Sequence, residues 1–434
     1  MGTRIHMKRK IGSILLIVLV LILEGCHKQE KEVVLIKEET PVRVTMGEEN
    51  FQKPAPEYTE IVISGVGDIM VHGPQIRAQF QSDTQKYNFE NNFKHVQEYL
   101  KNSDLMLGNL ETTFGGADKG YSSFPYFNTP DELANALKKA GFDALATANN
   151  HSYDTGHEGI IRTLDVLQKE GLKTFGTRKN TKGKSYSILD IKGIKVGLSA
   201  YTFETPRWGE FKTINAIRIP KEVEGLIDSF CYEFLEEDLV AIKERVKEIK
   251  KEGAELVVFY MHWGNEYKGK PNNYQRQIAQ ALSDYGVDII FGSHPHQIQS
   301  MEVINSKAED KQTVVIYSLG NFLSNQRYEI LNNRKTEDGI IVNIKMRKNL
   351  LNDKIEMQEI SYVPTWVHRY FVEGKAVFEI IPTYEVIKDP LQYGITSEKT
   401  LWRILNSQEN TVKSIESDEN LKKKKEFKGL IHKI

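Results

Sequence analysis

From residue 60 onward the chain repeats one pattern: a short apolar run, a polar loop, then apolar residues at helical spacing. The runs are Glu60-Ile-Val-Ile63, Asp104-Leu-Met-Leu107, Ala144-Leu-Ala146, Ile194-Lys-Val-Gly-Leu198, Leu256-Val-Val-Phe-Tyr260, Val287-Asp-Ile-Ile-Phe291 and Val314-Val-Ile-Tyr317. Their length and β-branched content predict buried strands. Between them, residues 236–253 place Leu239, Ile242, Val246 and Ile249 on one helical face, and Gly253 marks the stop. Residues 131–140, 159–169 and 274–285 predict helices closed by Gly141, Gly171 and Gly286. The alternation predicts an α/β domain with helices covering a sheet. From about residue 339 strands follow one another without helices, at 339–346, 355–363 and 377–381. Their short separations predict antiparallel pairing, either completing a second sheet of the same domain or forming a small C-terminal β-domain.

Polar residues cluster at one end of these strands. Gly65-Val-Gly-Asp68 follows the first, Gly108-Asn-Leu-Glu111 the second, and Asn149-Asn-His151 the third. His262-Trp-Gly-Asn-Glu266, Ser293-His-Pro-His296 and Ser318-Leu-Gly-Asn321 follow three later ones. Open α/β sheets place ligand sites outside the carboxyl ends of their strands, so six such ends point to one converging site. Carboxylates, carboxamides and imidazoles without cysteine form an oxygen and nitrogen donor set, suited to a divalent ion of the Mn, Zn or Fe type. His294 and His296, two residues apart, face one side if the segment is extended. Pro295 between them has no N–H to donate, which puts the pair at a strand end.

Composition narrows the picture further. With 58 basic and 59 acidic residues the net charge is −1, so the whole molecule carries no electrostatic sign of nucleic-acid binding. At the N-terminus Lys8-Arg-Lys10 precedes an uncharged apolar run to Leu23, the pattern of a secretory signal. Leu23-Glu-Gly-Cys26 resembles a bacterial lipobox with Glu24 as a departure, so residues 1–26 read as a lipoprotein signal acylated at Cys26 or as an uncleaved membrane anchor. Either places the protein at the cell membrane, on its extracytoplasmic face. Residues 27–59 are rich in Lys, Glu and Pro and read as a solvated linker. The main domain is expected over 60–390 and a charged tail over 391–434, with one helix around Thr400-Leu-Trp-Arg-Ile-Leu405.

The motifs Gly67-Asp-Ile-Met70, Asn109-Leu-Glu111, Asn149-Asn-His151 with Asp154 and Gly156, His262-Trp-Gly-Asn-Glu-Tyr267, Gly292-Ser-His-Pro-His296 and Tyr317-Ser-Leu-Gly-Asn-Phe322 resemble, in order, those of the CapA/PgsA capsule biosynthesis family. That family is linked to poly-γ-glutamate, and its domain resembles the calcineurin-like metallophosphoesterases. The resemblance implies a four-layer α/β/β/α sandwich holding one or two metal ions. It implies Asp68, Asn150, His262, His294 and His296 as metal ligands, with His151 as general acid. Asn109, Trp263, Glu266, Tyr267 and Asn321 are expected to line the substrate site. The same resemblance implies an anionic polymer or a phosphoester as substrate, and membrane synthase subunits as partners.

Two departures bear on activity. The wider superfamily has Asp-x-His in its first motif, but Met70 stands at the histidine position here, and His72 falls at the wrong spacing. Its second motif supplies a bridging Asp, where this chain has Asn109, leaving Glu111 to take that role. The expected function is a metal-dependent hydrolase acting in capsule synthesis, export or release. A non-catalytic scaffold subunit and a phosphoesterase on an unrelated substrate are the alternatives.

Overall fold

The structure, a computed structural model, describes residues 57–430. The predicted signal segment, Cys26 and residues 27–56 of the linker lie outside the described residues. Among the described residues no helix is long and apolar enough to cross a membrane.

Strands Tyr58–Ile69 (β1), Leu105–Leu110 (β2), Ala144–Ala146 (β3) and Lys173–Phe175 (β4) run parallel side by side. Helices Gly73–Gln79 (α1), Glu132–Ala140 (α2) and Gly156–Lys169 (α3) lie in their connections. A second parallel set then forms from Ile194–Phe203 (β5), Leu256–His262 (β6), Ile289–Ser293 (β7) and Gln312–Ile316 (β8). Leu235–Lys251 (α4) and Asn273–Asp284 (α5) connect these. The strand–helix alternation therefore builds two sheets, not one.

The chain next returns to the first sheet. Asn321–Leu323 (β9) pairs parallel with β1. Asp338–Asn349 (β10), Ile355–Val372 (β11) and Lys375–Pro382 (β12) then extend it antiparallel on the far side, in the order β12-β11-β10-β1-β2-β3-β4. The C-terminal strands thus complete the first sheet and form neither the second sheet nor a separate domain. In β10 the alternation decides this: Ile340, Val342 and Ile344 point into one apolar cluster and Ile341 into the other.

The sheets pack face to face. Ile61, Ile63, Leu105 and Leu107 of the first meet Val196, Leu198, Leu256, Val258 and Phe291 of the second in a shared cluster. Outside the first sheet, Met106 and Leu110 pack with Leu133 and Leu137 of α2. Outside the second, Val257, Phe259 and Met261 pack with Leu239, Ile242, Val246 and Ile249 of α4, and with Ile278 and Leu282 of α5. Strands β6 and β7 are buried on both faces, which is why their sequences are continuous apolar runs. Each fully buried aliphatic side chain contributes about 1.5–3 kcal/mol, so the buried aliphatics on the inner face of α4 hold that layer in place.

The helix expected around residues 400–405 forms and is longer, and it packs onto the domain. Glu398–Ile415 (α6) packs Ile404 with Trp366, Ile381, Val386 and Ile395, and Phe427–Leu430 pairs parallel with β11. The buried positions of α6 are Ile404, Ser407, Thr411 and Ile415. Two hydroxyl residues among two aliphatics make a weak apolar stripe, and the charged flanks mask it further.

Candidate metal centre

Register brings the polar strand ends together. Asp68 pairs with Asn109 across β1 and β2 and with Asn321 across β1 and β9. His262 stands opposite Ser293 across β6 and β7. Glycine makes the close approach possible: a Cβ at Gly67 would lie 1.9 Å from the Gly320 carbonyl oxygen, and one at Gly292 2.1 Å from that of Tyr317. The β1–β2 register also shifts between Val66 and Asp68, an irregularity that re-aims the strand end carrying Asp68.

His294 and His296 converge by a different route from the one their spacing suggests. β7 ends at Ser293, and the two histidines have φ of +94° and +54°. They sit in a bend rather than an extended segment, with ring centroids 6.0 Å apart. Non-glycine residues held at positive φ carry strain, which the surrounding structure must impose.

Two buried donor groups result, each with its atoms within 4.8 Å of one another: Glu111, His262 and His294, and Asp68, Glu111 and His296. Glu111 belongs to both. Its Oε1 lies 3.6 Å from His262 Nε2 and 3.8 Å from His296 Nε2, and is buried without a hydrogen-bond partner. His294 Nδ1 is likewise buried and unpartnered. Other contacts orient the donors. Ser293 Oγ sits 2.9 Å from His262 Nδ1, and Asn150 Oδ1 2.8 Å from His262 Nε2. His296 Nδ1 lies 2.9 Å from Asp68 Oδ2 and 3.2 Å from Asn321 Oδ1. Asn109 Nδ2 donates to Asp68 Oδ1 at 2.9 Å and to Glu111 Oε2 at 3.3 Å.

The electrostatics fit a cation. Burial, then the neighbouring Asp68, pushes the Glu111 carboxyl well above its ordinary range. Burial and then the adjacent imidazoles hold His262 and His294 well below theirs, so both stay neutral with lone pairs to give. Two carboxylates and neutral imidazoles around unpartnered oxygen and nitrogen atoms are costly alone, and a divalent ion relieves both the repulsion and the missing bonds. The donor set thus fits a metal on the chemistry of its own atoms.

The remaining expected residues fall into three groups. Asn150 and His151 lie at the site; His151 Nδ1 is 2.8 Å from Asp154 Oδ2, which also accepts from the Phe127 N–H at 2.6 Å. Asn109 and Asn321 are almost fully buried and hydrogen-bond the donors Asp68, Glu111 and His296. Asn321 Nδ2 is itself fixed by the Thr336 carbonyl at 2.9 Å. Trp263 lies beneath the site: fully buried in the cluster under α4 and α5, it donates from Nε1 to the Tyr317 carbonyl at 2.9 Å. Exposed Glu266 forms a third donor group with His294 and His296. Tyr267, at φ +62°, lays its ring 6.0 Å from that of His296. Met70 is buried, and His72 caps α1, its Nδ1 accepting from the Asn325 N–H at 3.2 Å.

Three contributors lacked a role in the sequence reading. Phe203, at the end of β5, packs its ring 4.6 Å from His294 and 6.3 Å from His262; an aromatic residue at a strand end gives no sequence signal. Asn149 ties Asn109 Oδ1 to the Leu110 carbonyl, and Asp154 orients His151. Both stand beside His151 in its motif, so the signal for them was adjacency.

A model of the family described as bacterial capsule synthesis protein PGA_cap matches residues 62–326. The chain belongs to this family. All six motifs fall inside the match, which bears out the resemblance they carry. The chain is 32% identical over 306 residues to the capsule biosynthesis protein CapA of Bacillus anthracis, covering 68% of this chain and 66% of that relative. It is 28% identical over 367 residues to the PGA biosynthesis protein CapA of Bacillus subtilis (strain 168), covering 83% and 82%. Among solved structures, a phosphatase from Mycoplasma pneumoniae aligns with a TM-score of 0.39 at 14% identity, over 70% of this chain and 93% of that one.

Proposed function

We propose that this PGA_cap-family chain is a metal-dependent hydrolase of poly-γ-glutamate capsule biosynthesis, acting in synthesis, export or release of the polymer. The observation that carries the reading is Glu111: one unpartnered, buried carboxylate oxygen shared by two donor groups. Asp68, Glu111 and His296 would hold one ion, and Glu111, His262 and His294, with Asn150 beside them, a second. The layered sheets with the site at their carboxyl ends support a metallophosphoesterase-like arrangement.

A divalent ion held there supplies Lewis-acid polarisation and charge stabilisation for an acyl or phosphoryl transition state. The chain's own residues do the rest. Asp154 accepts from His151 Nδ1, so when the imidazole carries both protons the one on Nε2 is the one given to a leaving group. Phe203 packs over the imidazoles and excludes water from them. Asn109 and Asn321 keep the donors in register.

The protein's place follows the N-terminal pattern: residues 1–26 attach it to the membrane, with the domain on the outer side and synthase subunits as neighbours. A scaffold without catalysis is favoured by two departures, Met70 at the superfamily histidine position and Asn109 at the bridging aspartate position. Metal analysis of the purified protein, followed by assays of γ-glutamyl and phosphoester hydrolysis with added Mn or Zn, decides between them. Bound metal and hydrolysis lost together in His294→Ala are expected. A metal-free protein sinks the hydrolase, while metal without hydrolysis of either bond leaves the scaffold. Palmitate incorporation into wild type but not Cys26→Ser tests the lipid anchor.

A further inference from the structure

At the edge of the first sheet, α1 and the turn joining β11 to β12 enclose a surface groove of about 550 Å³. Arg77, Arg369 and Lys375 line it, with Phe371 exposed beside them. A second groove of about 240 Å³ shares Ala78, Lys375 and Ala376 with the first and continues past Asn88 and Asn91.

Several surface cations are neutralised by a neighbouring carboxylate. Lys345 and Arg347 share Glu60, and Lys184 pairs with Glu252. Arg77, Arg369 and Lys375 form no ion pair among the described residues. Lys375 Nζ donates to the Phe80 carbonyl at 2.7 Å, and Arg369 Nη1 reaches Asn325 Oδ1 at 3.5 Å. One carboxylate, Glu373, lines the same groove and is exposed, so the balance there is net positive in a chain of net charge −1. A cleft of one sign concentrates oppositely charged ligands.

Packed side chains connect the wall of the groove to the candidate centre. Asn325, which faces Arg369, donates its N–H to His72. The His72 ring packs 5.3 Å from Phe127, and Phe127 packs 4.7 Å from His151. The three cations sit on separate walls, on α1, on β11 and after the turn, so they suit charges spread along a chain better than one compact anion.

We propose that this groove binds a polymer bearing repeated carboxylates, an inference that rests on the capsule-polymer reading of the candidate centre. The test is fluorescence anisotropy of labelled poly-γ-glutamate with the purified full chain. Its variants are the double substitution Arg77→Glu with Lys375→Glu, a control Lys423→Glu with Lys425→Glu on the C-terminal surface, and His294→Ala. The groove variant is expected to weaken binding about ten-fold or more, with the control unchanged and metal content intact. Equal loss in groove and control variants would falsify the proposal, as would absence of binding by the wild type. Displacement by polyphosphate at lower concentration than by free poly-γ-glutamate also overturns it, since the site would then select phosphate. Binding that survives in His294→Ala while its metal is lost supports a subsite outside the centre. Binding lost with the metal places the polymer on the centre and removes the groove. Hydrolysis is read separately, so failure of the groove and failure of the hydrolase give different patterns.

Discussion

Asn109 explains how two carboxylates share one dry pocket. An Asp at that position would be a third carboxylate beside Asp68 and Glu111, whereas the amide donates to both. The negative charge is thereby moved two residues on, to Glu111, whose carboxyl burial and Asp68 hold well above its ordinary range. In Glu111→Gln the repulsion disappears along with the shared ligand. The metal-free variant is therefore expected to melt higher than the metal-free wild type. Its metal affinity is expected to fall about ten-fold or more, measured by calorimetric titration. Unchanged affinity would remove Glu111 from the centre. At this scale most of the site was legible, because Asp, Glu, Asn and His at six strand ends have few uses other than a shared ligand. The backbone of the His294–His296 bend was not legible: positive φ at two histidines is imposed by tertiary packing that no local preference encodes. Phe203 was hidden for a related reason, since its ring reads as core until its neighbours are known.

Among the elements, β10 begins with a buried acid. Burial, reinforced by Glu337, pushes the Asp338 carboxyl up to about 8, against an opposing hydrogen bond from Ser407. The folded value lies above the unfolded one, so this group's stabilising contribution is complete below about pH 4 and is lost as pH rises towards about 8. Each pH unit in that window costs at most about 1.4 kcal/mol. Asp338→Asn is expected to flatten that part of the profile, as read by urea denaturation at several pH values between the two limits. A variant with the wild-type slope would show that Asp338 ionises freely in the fold. Next to it, Glu337 accepts from Arg327 and Arg403, linking α6 to the loop whose Thr336 carbonyl fixes Asn321. The C-terminal helix thus buttresses a neighbour of the centre. Element types were well predicted wherever apolar periodicity was strong, as in α4. Their division between two sheets was not, because β1, β2, β6 and β7 carry similar apolar runs and only packing decides which sheet each joins. The small sheet of Thr205–Trp208, Phe211–Ile214 and Ile217–Arg218 also escaped notice, its strands being too short and exposed to show a pattern.

Across the whole molecule the candidate centre is a seam. Asp68 and Glu111 come from the first sheet and its loop, and His262, His294 and His296 from the second. An ion bound by both sides stabilises the packing of one sheet on the other by mass action, about 2.7 kcal/mol at a hundred-fold excess over its Kd. Chelation is expected to lower the melting temperature, with recovery on adding Mn or Zn, and to do so less in His294→Ala. A melting curve indifferent to chelator would mean that the sheets hold together without an ion.

The order of the donors along the chain has a consequence for assembly. Asp68 lies near the start of the described domain, His296 comes 228 residues later, and Asn321, which steadies it, later again. A nascent chain cannot gather a complete donor set until the β1–β9 pairing and both sheets have formed, and such long-range pairings are slow to close. An ion at this centre would therefore be acquired by a finished fold, a late arrival rather than a nucleus.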